Sequence, residues 1–63
     1  MSAVGFRDQL HLLELERMAA ASTGLLEVES YKRDLEEEIA KCRVSYVSAA
    51  VIEIARLRDA LAA

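Results

Sequence analysis

Leu25 to Leu61 reads LLEVESYKRDLEEEIAKCRVSYVSAAVIEIARLRDAL, with no proline or glycine to interrupt it. Apolar and small residues recur along it at Val28, Tyr31, Leu35, Ile39, Cys42, Tyr46, Ala50, Ile54, Leu57 and Leu61. The mean step is about 3.67 residues, the eleven-residue period that keeps a stripe on one side of a nearly straight helix. Val28, Ile39, Ala50 and Leu61 repeat at eleven, as do Leu35, Tyr46 and Leu57. This echo is a packing period within one helix, and the stretch therefore predicts a long α-helix over about 25–61.

Upstream of it, Ser22-Thr23-Gly24 is the only turn-like cluster after residue 5. Ser22 or Thr23 could cap the long helix by accepting from a free backbone N–H. Gly24 could instead close a preceding helix in the left-handed conformation. That preceding helix is expected over about 3–21, with residues 22–24 as the turn. On a helical wheel Leu10 and Leu13 fall beside Phe6, whereas Leu12, Leu15 and Met18 fall elsewhere. A helix apolar on so much of its circumference is covered on more than one side.

The two segments define a single small helical domain over residues 1–63, all-α, folded as an antiparallel hairpin with a short first and a long second helix. At about 1.5 Å per residue the helices are ~28 Å and ~55 Å long. The first then covers only the half of the second that ends near Cys42. Tyr46, Val47, Ala50, Val51, Ile54, Leu57 and Leu61 are left as a candidate partner interface, because water-exposed stripes of this kind mark association surfaces. Assembly into a helical bundle is the expected outcome. One alternative breaks the second helix at 43–48, where Val44-Ser45-Tyr46-Val47 has strand-like propensity. That break would give a monomeric three-helix bundle, but the run has no Gly, Pro, Asn or Asp to make a turn.

Size and composition reinforce the need for a partner. The chain has 63 residues and one cysteine, so neither an internal disulfide nor a multi-cysteine zinc site can supplement a small core. Hydrophobic residues at 54% separate it from disordered chains. Eight Lys and Arg against eleven Asp and Glu give a net charge of −3, the wrong sign for an electrostatic footprint on nucleic acid. The longest weakly polar run, Val44 to Ile52, falls well short of the roughly 20 residues a membrane span needs. Met1 to Phe6 lacks the basic and apolar runs of an export signal. With a lone thiol, this predicts a reducing, cytoplasmic setting.

No constellation of side chains points to catalysis. His11 and Glu14 could share a face as half a metal site, but the carboxylate-bridged pattern of helical bundles needs Glu before His on two helices. Cys42 lies on the apolar stripe with Lys41 and Arg43 aimed elsewhere, which makes it a small packed residue rather than an activated thiol. Glu36, Glu37 and Glu38 fan around the helix and cannot converge as an acid–base pair; Lys41 can pair with Glu37 or Glu38. Tyr31 and Tyr46, with Phe6, suit either internal packing or interface anchoring. No catalytic, cofactor-binding or metal-binding residue is assigned, and no cofactor is expected.

The expected function is therefore that of a non-enzymatic protein–protein interaction module. The hairpin either self-associates or binds and stabilises a helical partner protein, as an adaptor or co-chaperone-like subunit. In size and architecture the layout is similar to the two-helix partner subunits of type III secretion needle chaperones. In length it also resembles the small dimeric hairpins that bind RNA in plasmid copy control. That gives the alternative of a regulatory protein binding RNA or DNA as a dimer. Its first helix offers only Arg7 and Arg17, set among Asp8, Glu14 and Glu16, so nucleic acid is not the expected partner. A membrane-surface helix would need Lys and Arg along its polar face, where the second helix is acidic. The final Ala60-Leu61-Ala62-Ala63 resembles the end of the bacterial ssrA degradation tag. That implies recognition by an unfoldase of the ClpX type where the tail is exposed.

Overall fold

The computed structural model describes residues 2–62. Two helices lie antiparallel: α1, Ala3–Thr23, and α2, Glu29–Ala62, joined through Gly24 and a 3-10 turn at Leu25–Glu27. No strand occurs among the described residues. The second helix is continuous through 43–48, so the three-helix alternative does not form. Without a helix breaker, the β-branched valines there stay in the helical register that flanking Ala, Lys and Arg favour.

Local chemistry fixes both ends of α1. Ser2 is its N-cap, and the Ser2 hydroxyl accepts from the Gly5 N–H at 3.2 Å. At the other end Gly24 adopts φ 82°, ψ 2°, and its N–H donates to the Ala20 carbonyl. Of the two ways to use the Ser22-Thr23-Gly24 cluster, the glycine closure of α1 is the one realised. Ser22 and Thr23 do not cap α2. Their hydroxyls donate back to the Ala19 carbonyl at 2.9 Å and 3.1 Å, binding them into the last turn of α1.

The connection is longer than residues 22–24. Leu25–Glu27 form the 3-10 turn, closed by Val28 N–H donating to the Leu25 carbonyl at 3.0 Å. The Val28 carbonyl then accepts from Lys32 N–H to start α2. Four residues expected inside the second helix are thus spent reversing the chain across the 8–10 Å typical between packed helix axes.

The core lies between the helices and is small. Ala3 and Ala20 of α1 and Leu35, Ile39 and Cys42 of α2 are its buried members. Phe6, Leu10, Leu13 and Tyr31 are half-buried around them. On α2 the track facing α1 is Leu35, Ile39, Cys42, Tyr46, Ala49 and Glu53, spaced alternately four and three. It coincides with the eleven-residue stripe as far as Tyr46 and then parts from it. Ala50 and Ile54 stand about 100° round the helix from Ala49 and Glu53.

Candidate partner interface

The reach of α1 along α2 determines what stays uncovered. The Ala3 N–H donates to Glu53 Oε1 at 3.0 Å, so a carboxylate of α2 caps the positive end of α1. The Cys42 thiol donates to the Phe6 carbonyl at 3.3 Å. Pairing therefore extends to Glu53 rather than stopping near Cys42. Two causes combine: α1 has 21 residues, and α2 begins only at Glu29, which slides its covered half toward the C-terminus. Of the seven residues expected in the uncovered half, Tyr46 and Ala50 are half-buried instead.

The other five, Val47, Val51, Ile54, Leu57 and Leu61, are between 54% and 79% exposed. Val44 and Ile52 join them. Five of these, with Ala40 and Arg58, form a second track on α2: Ala40, Val44, Val47, Val51, Ile54, Arg58 and Leu61, again spaced four and three. It stands roughly 130° from the track that faces α1, on the 100°-per-residue wheel. The spacing by sevens overlaps the eleven-residue stripe in sequence, and the course of α1 along the other face is what separates the two. On α1, Val4, Leu12, Leu15 and Met18 are also exposed, in keeping with a helix that one neighbour cannot cover.

Charge frames this surface without covering it. Arg17 stands 3.9 Å from Glu36 and Arg43 3.6 Å from Glu14, two pairs that bridge the helices. Between them runs an open groove lined by Met18, Ala21, Leu26 and Ile39. Arg7 stands 3.6 Å from Asp8, and Lys41 3.4 Å from Glu37. All eight side chains are about half exposed or more, so each pair contributes at most about 1 kcal/mol. Their effect is local neutralisation: the arginines of the first helix face acids, which disfavours phosphate binding.

The residues considered for chemistry are dispersed. His11 is exposed, and no cluster of His, Cys, Asp or Glu that could hold a metal occurs among the described residues. Cys42 is a free thiol within the core. Glu36, Glu37 and Glu38 are exposed and do not converge. No helix among the described residues is long and apolar enough to cross a membrane. Ala60, Leu61 and Ala62 are exposed at the end of α2, and Ala63 of the tag-like tail lies outside the described residues. No family model, curated protein or solved structure matches the chain.

Proposed function

We propose that this chain is a non-enzymatic protein–protein interaction module whose α2 offers an apolar face to another helical surface, in a reducing, cytoplasmic setting. One observation carries the reading. Val44, Val47, Val51, Ile54, Leu57 and Leu61 are all more than half exposed along one helix. Each large apolar side chain gains roughly 1.5–3 kcal/mol on full burial. A surface of this extent on a small chain marks an association site. A helix laid along it would bury the face by packing ridges into grooves.

Leu57→Asp tests the reading. A carboxylate forced into an apolar contact is strongly unfavourable, whereas on the free chain it remains in water. Solution mass, helicity and binding of a hydrophobic dye are compared with those of the parent. The substitution should lower the mass of an assembled parent, or the dye binding of a monomeric one, while leaving the helicity of the hairpin intact. Leu13→Asp, on the half-buried face of α1, should disrupt the hairpin itself. Ile52→Asp, beside Ser48, Arg56 and Asp59 on another face of α2, should change little. A monomeric parent that binds no dye and melts cooperatively would refute the reading.

A further inference from the structure

Resting on the interaction reading, we infer that the occupant of the outer track of α2 is the same track of a second copy, running antiparallel. Two independent quantities lead there.

The first is area. The chain exposes 4886 Å², whereas a compact monomer of 7.0 kDa exposes about 4,000 Å². The excess, about 850 Å², matches the ~800 Å² that each partner contributes to a standard interface. The radius of gyration shows the same departure: 15.6 Å against about 10.6 Å for a compact chain of this length. A second helical surface of standard interface size supplies the missing cover.

The second is charge. The track Ala40, Val44, Val47, Val51, Ile54, Leu61 is apolar except for Arg58, and one turn before Ala40 it meets Glu37. Parallel pairing in register would set Arg58 against Arg58 and Glu37 against Glu37 of the second copy. Antiparallel pairing centred at residue 49 places Val47 opposite the second copy's Val51, and Val44 opposite its Ile54. Arg58 then lies opposite the second copy's Ala40, one helical turn from its Glu37 and within reach of a long side chain; Glu37 already pairs with Lys41 at 3.4 Å, so Arg58 would share that carboxylate. The contact is isologous, so the favourable charge pair occurs twice.

The same register accounts for the overhang. Leu57 of one copy falls level with Lys41 of the other, on the side of the groove lined by Met18, Ile39 and Arg43. The part of α2 beyond Glu53, which has no α1 beside it, is thereby laid along the middle of the other hairpin.

Disulfide trapping distinguishes the geometries. In a Cys42→Ala background with helicity checked, one chain carries Val44→Cys and another Ile54→Cys. Mixed and oxidised, they should form the heterodisulfide. Either chain alone should not cross-link, because the two Val44 sites lie about ten residues, ~15 Å, apart along the pair. Charge reversal gives a second reading by solution mass. Arg58→Glu should weaken association by about tenfold, as expected for two reversed exposed pairs. Adding Glu37→Arg in the same chain should restore it. Strong cross-linking of Val44→Cys alone, or no restoration by the double reversal, would overturn the antiparallel pairing. A parent of monomeric mass at high concentration would overturn the second copy as occupant. If that monomer still bound hydrophobic dye through Leu57, the interaction reading would stand with a foreign helix in its place.

Discussion

Replacing Gly24 by alanine separates backbone strain from packing more cleanly than any other change in this chain. Gly24 is held at φ 82° by its N–H bond to the Ala20 carbonyl. A Cβ built there has no atom within 4 Å, so nothing is crowded. What remains is the intrinsic penalty of the left-handed conformation for an L-residue, roughly 1–2 kcal/mol. Against it stands the smaller conformational freedom that alanine leaves the unfolded chain, about 0.4–1 kcal/mol in favour of folding. The net expected loss is about 0–1.6 kcal/mol, with a midpoint of ~0.8 kcal/mol. At that midpoint the fall in Tm is roughly 3–6 °C for a domain of this size. Thermal and urea melts followed by circular dichroism, at one fixed chain concentration, would measure it. Gly24→Asn should lose less, because asparagine tolerates this region better. A Tm clearly raised by Gly24→Ala would mean that the reversal does not pass through a left-handed residue, and would refute the reasoning.

Two further outcomes follow from the core. Leu35→Ala, at a residue 4% exposed, should cost about 2–5 kcal/mol, enough to unfold a chain of marginal stability at 37 °C; retention of the full melt would contradict the packing described. Cys42, held in the core with its thiol on the Phe6 carbonyl, should react slowly with a thiol reagent in the native state and quickly in denaturant, and rapid native labelling would place it on the surface instead.

The hairpin was legible because its signals are local. A single glycine after Ser22-Thr23 and an unbroken periodic run are enough to set two helices and the point between them. Cys42 could likewise be placed in the core from its position on the stripe. The length of the connection was not legible. Leu25, Leu26 and Val28 fit a helical apolar pattern, and their diversion into a 3-10 turn is set by the distance to be crossed between helices. That diversion moved the covered half of α2 and brought Tyr46 and Ala50 beside α1. The path of the core was legible only in part. The eleven-residue stripe and the track facing α1 share their residues up to Tyr46. Their parting at Ala49 and Glu53 depends on the course of a helix more than twenty residues away in sequence. The pairs Arg17–Glu36 and Arg43–Glu14 carry no sequence signal for the same reason.

The short connection also governs the order in which the structure is made. Helix–coil steps take well under a microsecond and closing a small loop takes tens of nanoseconds. With only Gly24 to Val28 between its helices, the chain can start pairing at this end and zip outward, each new contact closing little additional loop. Such low contact order places folding in the microsecond-to-millisecond range. The Ala3–Glu53 bond, at the far end of the zipper, should close last. It should correspondingly be the first to open, with hydrogen exchange fastest at the end where α2 runs on alone.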